Sequence, residues 1–257
     1  MTKEEIVRDW LTRYTGRELK DFCEHILLTN FNNYVEQFAQ MFNVEVVGRD
    51  KSMPNASAQQ ITIINFGMGS PNAATIMDLL SAINPKAVLF LGKCGSLKEK
   101  NKIGDFVIPI AAIRGEGTSN EYLPAEVPSL PAFSLQRAIS TAIRDHGKDY
   151  WTGVVYTTNR RVWEWDQNFK KYLEATRSLA IDMETATIFT VGFFNKIPTG
   201  ALLLVSDQPI IASGIKTQES DKQTTKLYTQ EHLKIGIDSL NQIIHNGRSV
   251  RHLRFDE

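Results

Sequence analysis

Asp182, Met183 and Glu184 stand at the start of a helical stretch, and Asp207 closes the strand-like run Ala201-Leu-Leu-Leu-Val205-Ser206 that follows it. Carboxylates so placed suit three tasks: transferring a proton, accepting hydrogen bonds from sugar hydroxyls, and countering positive charge in a transition state. The stretch from Ala201 to Val205 is apolar throughout, as expected of a strand covered on both faces. A carboxylate at the carboxyl end of such a strand sits where open α/β sheets bind small ligands. Taken alone, Asp207 would serve equally well as a helix N-cap or a turn residue. Glu184 one strand away, and two glycine segments upstream, favour the ligand-binding reading.

The first of these segments, Gly67-Met68-Gly69-Ser70-Pro71-Asn72, follows an apolar run and precedes a helix. It lacks the third glycine of the dinucleotide fingerprint, and no acidic residue closes a strand about 20 residues on, so a nicotinamide site is disfavoured. What remains is either a turn presenting backbone N–H groups to a polar ligand or a turn that only needs small residues. Gly92-Lys93-Cys94-Gly95-Ser96 is expected to make a second such turn, with the Lys93 ammonium either meeting an anion or simply solvated. Thr157, Thr158, Asn159, Arg160, Arg161 and Trp163 mix hydroxyls, guanidinium groups and an indole. Arginines suit phosphate and an indole stacks on a base, although Trp163 could equally pack in the core.

The elements that must position these groups alternate along the chain. Thr2 and Glu5 form a capping box, with Ile6, Trp10 and Tyr14 on one helical stripe until Gly16. A strand is expected over Phe22–Leu28, a helix over Phe31–Phe42, and a loop or hairpin around Met53–Ala58 joining Val44–Val47 to Ile61–Phe66. Ser70 is the expected N-cap and Pro71 the first residue of a helix carrying Ala73, Ile76, Met77 and Leu80. Strands then fall at Ala87–Leu91, Asp105–Ile113, Gly153–Thr157 and Ala201–Val205. Helices fall at Phe133–His146, Trp163–Leu173, Thr185–Asn195 and Glu219–Asn246. This order implies an α/β fold, a single domain with a central mixed sheet flanked by helices on both faces.

Composition narrows the class. The chain has 257 residues, 42% hydrophobic and 23% charged, which suits a globular protein able to bury a sizeable core. Its 29 basic and 29 acidic side chains cancel, so no global field draws nucleic acid or an anionic membrane. Cys23 and Cys94 lie far apart and form no CxxC pair, which disfavours a disulfide scaffold or a thiolate zinc site. Neither a signal-peptide core nor an apolar stretch near the ~20 residues of a spanning helix is visible, so a cytoplasmic location is expected.

The motifs Gly67-Met-Gly69-Ser-Pro-Asn-Ala-Ala, Gly92-Lys-Cys-Gly95, Glu116-Gly-Thr-Ser with Tyr122-Leu-Pro, Asp182-Met-Glu184 and Val205-Ser-Asp207 stand in the order of the nucleoside phosphorylase and nucleosidase superfamily, which this chain resembles along most of its length. Further segments are similar to the AMP nucleosidase family. They are Arg13-Tyr-Thr-Gly16, Leu28-Thr-Asn30 with Tyr34-Val35, Thr157-Thr-Asn with Trp163-Glu164, Ile181–Thr187, His232–Ile237 and Leu253-Arg254-Phe255. The resemblance implies one catalytic domain over residues 1–257 that converts AMP and water to adenine and ribose 5-phosphate. It implies no cofactor or metal, and a homo-oligomer, hexamer before dimer.

Within that resemblance, Asp207 is the expected general acid toward adenine N7, a role that requires apolar Leu202–Val205 and the bound base to hold its proton. Glu184 is expected on the ribose hydroxyls and Met183 on the sugar face. Gly67, Gly69, Gly95, Thr158, Trp163 and Ser206 are further expected substrate contacts. Lys93, Arg160 and Arg161 are candidates for the 5′-phosphate, with Arg114 and Lys216 behind them. Glu116 and Asp182 are possible activators of water, with nothing in the spacing to select either. Phe90 stands where many phosphorylases carry an arginine, and Lys93 where they carry a serine, which favours water over inorganic phosphate. The long members of the AMP nucleosidase family carry a separate regulatory domain not seen in this sequence, so near-hyperbolic kinetics with little response to ATP are expected. A nucleoside phosphorylase acting on purine nucleosides or uridine and a non-catalytic nucleotide-binding protein remain the competing readings.

Overall fold

The computed structural model describes residues 1–246. Leu253, Arg254 and Phe255, named above for the resemblance, lie outside them. Helix α1 (Lys3–Thr15) opens with the expected capping box: Thr2 accepts from the Glu5 N–H and Glu5 accepts from the Thr2 N–H. Gly16 ends it in the left-handed region at φ 70°. The buried stripe is Val7, Leu11 and Thr15, one position round from Ile6, Trp10 and Tyr14. Thr15 is tolerated there because its hydroxyl donates to the Leu11 carbonyl, while Trp10 lies 37% exposed.

Strand β1 (His25–Thr29), α2 (Asn32–Phe42), β2 (Asn55–Ala58), β3 (Ile61–Asn65), α3 (Ser70–Leu80) and β4 (Ala87–Ser96) follow in order. Next come β5 (Phe106–Gly115), α4 (Phe133–Asp145), β6 (Tyr150–Thr158), α5 (Gln167–Ala175), β7 (Ala180–Asp182), α6 (Thr185–Phe194), β8 (Thr199–Asp207) and α7 (Gln218–Asn246). The strands form one mixed sheet in the order β2-β3-β1-β4-β7-β6-β5-β8. Strand β8 also returns to pair with β4, so β4, β7, β6, β5 and β8 close into a ring. Within it β4–β8, β5–β6 and β6–β7 are parallel, while β4–β7 and β5–β8 are short antiparallel contacts.

Alternate residues of the central strands feed two cores. Val88, Phe90, Ala201, Leu203 and Val205 pack with α1, α3 and α6, and Leu89, Leu91, Leu202 and Leu204 pack with α2, α4 and α7. Both faces are therefore dry, which explains the unbroken apolar runs; each leucine so buried contributes roughly 1.5–3 kcal/mol. His232 of α7 is fully buried on the second of these faces, against Tyr34 and Phe106. Its Nε2 meets the Leu202 carbonyl at 2.9 Å, so Nε2 carries the proton and Nδ1 accepts from the Tyr34 hydroxyl at 2.7 Å. Burial pulls its pKa down to about 4 and keeps the ring neutral.

Around Met53–Ala58 the hairpin alternative is the one found, and two further local expectations need correction. Asn55–Ala58 is an edge strand antiparallel to β3, turning at Gln59 and Gln60, both with positive φ. Its polar residues are held by Asn55, whose amide donates to the Thr15 and Met53 carbonyls and accepts from Arg17. Strand β4 does not turn at Gly92 but runs on to Ser96. Its glycines answer to packing: a Cβ on Gly92 would lie 2.5 Å from the Phe90 ring, and one on Gly95 2.9 Å from Pro209. Lastly, α5 starts at Gln167 with Asp166 as its N-cap, leaving Trp163 ahead of it. Among the described residues no helix is long and apolar enough to cross a membrane.

Candidate active site

The carboxyl ends of β1, β4, β6, β7 and β8 surround a cavity of about 190 Å³. It is lined by Glu184, Asp207, Met183, Lys93, Gly95, Thr158, Arg160, Trp163 and Ser206, so nine of the eleven expected site residues meet there. Gly67 and Gly69 do not line it. The Gly67 N–H is engaged by Asn65 Oδ1 at 2.9 Å and the Gly69 N–H by Glu184 Oε1 at 2.7 Å. That glycine turn, with Gly69 at φ 93°, holds a carboxylate instead of offering its amides to a ligand.

Glu184 is 2% exposed and precedes the first turn of α6. Its second oxygen takes the Met183 N–H at 3.3 Å, and the Asn30 side chain also hydrogen-bonds it. Burial first, and the neighbouring Asp182 charge second, push its pKa up to about 8 despite those donors. Asp182 is the anchor beneath it: it accepts from the Thr157 hydroxyl at 2.7 Å, from the Thr185 N–H at 2.7 Å, from the Thr185 hydroxyl, and from the Glu184 N–H at 3.3 Å. Burial raises its pKa against these bonds. Ser70, expected to cap α3, instead donates to the Met183 carbonyl at 2.7 Å, and Gly69 takes the N-cap position. Both sides of the Asp182-Met183-Glu184 segment are thereby pinned.

Asp207 reaches the cavity through a bulge. Cys94 opposes Val205 but Gly95 opposes Asp207, so Ser206 is the extra residue that re-aims the end of β8. The Ser206 hydroxyl contacts Asp207 Oδ1 at 2.6 Å, and Lys216 Nζ lies 3.6 Å from the same oxygen.

Each cation of the cavity has a carboxylate beside it. Lys93, its side chain only 4% exposed, donates to Asp221 at 3.2 Å and to the Thr225 hydroxyl at 2.8 Å, and lies 4.6 Å from the Phe31 ring centre. Burial lowers the Lys93 pKa, with Asp221 acting against it. Lys216 sits 3.5 Å from the same Asp221 oxygen. Burial alone would raise the Asp221 pKa, but Lys216 and then Lys93 hold it below its ordinary value. Arg160 pairs with Asp166 at 2.7 Å and lies over the Trp165 ring, and Arg161 pairs with Glu164 at 3.3 Å.

Other expectations change place. Arg114 is outside the cavity lining and holds the loop after it, donating to Ser119, Asn120, Leu123, Pro124 and Val127. Glu116 is buried against the Ser119 N–H and the Thr187 hydroxyl, also outside the lining. Trp163 is 4% exposed and packs edge-on to Phe169, so it is core and cavity wall at once. Reading the sequence missed Asp221, Phe31, Met68 and Pro209, and gave Asn30 and Glu164 no role. Asp221 falls in the first turns of a long helix and Asn30 follows a strand, where spacing marks neither.

Three comparisons place this geometry among known proteins. The family model described as "Phosphorylase superfamily" matches residues 13–241. The crystal structure of AMP nucleosidase from Bacteroides thetaiotaomicron is 60% identical, covers 96% of this chain and 100% of that one, and superposes with a TM-score of 0.87. AMP nucleosidase from Escherichia coli is 29% identical over 277 aligned positions that take in 90% of this chain; the match spans 57% of that relative's length. Uridine phosphorylase from Vibrio fischeri, at 20% identity and a TM-score of 0.76, shares the fold.

Proposed function

As the chain belongs to the phosphorylase superfamily, we propose that it hydrolyses the N-glycosidic bond of AMP to adenine and ribose 5-phosphate. The observation that carries this reading is the meeting, in one cavity, of Glu184 and Asp207 in unlike settings with two lysines and two arginines. The two relatives named AMP nucleosidase support the same substrate.

Asp207 gives a proton to N7 as the electrons of the C1′–N9 bond leave with the base. Glu184, as a carboxylate, accepts from the ribose hydroxyls and counters the positive charge at C1′, with Met183 against the sugar. Lys93, Arg160 and Arg161, with Lys216, hold the 5′-phosphate, and Thr158, Gly95, Ser206 and Trp163 complete the walls. Because each cation already faces a carboxylate, a phosphate carrying a charge of about −1.5 to −2 must displace singly charged groups. Drawing Lys216 away from Asp207 would free that carboxyl for the base. Phe90 packs in the core against Phe66, so no guanidinium stands there to hold inorganic phosphate, which favours water as nucleophile. Asp182 is engaged by four donors, so water attacks the developed cation without it and its proton passes to solvent.

The same reading makes residues 1–257 one catalytic domain, working in the cytoplasm in purine salvage as a homo-oligomer. It is tested by adenine release from AMP and from adenosine. A charge-assisted phosphate contact is worth roughly 1.5–3 kcal/mol, so two or three give a preference for AMP of a few orders of magnitude. Equal turnover of the two would remove the phosphate socket.

A further inference from the structure

Lys93 is buried and cannot rest without a counter-charge, and the group that supplies it comes from a distant part of the chain. Asp221, in the first turns of α7, sets one oxygen 3.2 Å from Lys93 Nζ and 3.5 Å from Lys216 Nζ. All three side chains line the cavity, and the Asp221 side chain is 42% exposed, the open member of the cluster. A carboxylate oxygen between two ammonium groups occupies the position a small oxyanion would take. We propose that Asp221 is a specificity-determining residue, a built-in competitor that keeps lone anions such as inorganic phosphate off Lys93 and Lys216.

This deepens the AMP-hydrolysis reading and rests on it for its meaning. A phosphate tethered to ribose and adenine arrives with the contacts of the whole nucleotide and displaces Asp221. A free phosphate has only its own charge and does not. The cavity is thereby left to water when the glycosidic bond opens, and product carrying the same phosphate is not retained once the base has gone. No covalent step is involved.

The test uses the intact chain and needs no turnover. Thermal unfolding and titration calorimetry are followed against inorganic phosphate for the unchanged protein, Asp221→Asn, Asp221→Ser and the double variant Lys93→Met/Asp221→Asn. The unchanged protein is expected to show little stabilisation by millimolar phosphate. In Asp221→Asn the buried ammonium loses its partner, so Tm falls in anion-free buffer and is restored by phosphate, with binding ~10-fold tighter or more. Asp221→Ser should behave alike, and removal of Lys93 should abolish the gain. If phosphate binds Asp221→Asn no more tightly than the unchanged protein, Asp221 positions the lysines instead and the proposal is overturned. A gain that survives loss of Lys93 overturns it too. Adenine release from AMP is scored separately in the unchanged protein: its absence would refute the AMP reading while the phosphate titrations still judge the competitor.

Discussion

At the scale of single residues, the two carboxylates are separated by environment more than by type. Glu184 is sealed in beside Asp182, whereas Asp207 sits on a bulge at the cavity edge among a hydroxyl and a lysine. Asp207→Asn is expected to lower kcat for AMP by ~10²–10⁴ with little change in KM, as loss of a positioned acid does. Full activity in that variant would move the acid elsewhere. Glu184 makes a second, pH-dependent prediction. In the free protein its pKa lies near 8, above the ordinary 4.5, so it keeps a proton that the unfolded chain has already released over that window. Stability from this site therefore declines as pH rises from 4.5 to 8, and the carboxylate needed for the ribose hydroxyls forms only at the upper end. A profile of kcat/KM for AMP should rise toward pH 8, with an apparent value belonging to the Asp182–Glu184 pair, and should lose that limb in Glu184→Gln. A profile with no such limb in the unchanged protein would mean that Glu184 enters the reaction already ionised.

At the scale of elements, the apolar strands and most helices were legible because both depend on local period and composition. Ala201–Val205 reads as a doubly covered strand, and Asp207 at its end reads as a ligand-side carboxylate, without any tertiary knowledge. What stayed hidden depends on contacts between distant segments. Gly92 and Gly95 look like a turn in sequence, yet they are strand positions, the second beside a bulge, shaped by Phe90 and Pro209. Asn55–Ala58 lacks β-branched residues, and its place at the edge of the sheet is held by the bond from Asn55 to α1 and by the Ser57–Thr62 hydroxyl pair across to β3. Asp221 looks like solvent-facing helix until Lys93 is brought beneath it. His232 is the same kind of hidden link, joining α7 to β8 and α2. With its pKa lowered from 6.5 to about 4, the folded state resists a proton that the unfolded chain accepts, so this stability is full above pH 6.5 and lost as pH falls toward 4. A shift of that size is worth about 3 kcal/mol at most. Because Glu184 acts in the opposite sense over pH 4.5–6.5, the His232 contribution is read by difference: relative to His232→Gln, the urea midpoint of the unchanged protein should fall as pH drops from 6.5 to 4. A difference that does not change with pH would assign acid sensitivity to other groups.

At the scale of the whole molecule, closing five strands into a ring is what gathers the site. Glu184 follows β7, Asp207 ends β8, Lys93 lies on β4 and Thr158 ends β6, so residues far apart in sequence share one rim. The ring itself was not legible: the order of strands and helices gave a mixed α/β sheet, while the return of β8 to β4 is a matter of curvature and a bulge. Charge balance extends from the net charge of zero down to the cavity, where cations and carboxylates face each other in pairs. That balance, and the apolar Phe90, are why water is assigned as the nucleophile on a fold shared with a phosphorylase. The most direct measurement is the identity of the sugar product formed from AMP in phosphate buffer, followed by ³¹P NMR. The expected result is ribose 5-phosphate as sole sugar product, at a rate independent of phosphate concentration. Formation of ribose 1,5-bisphosphate, with a rate that rises with phosphate, would contradict it.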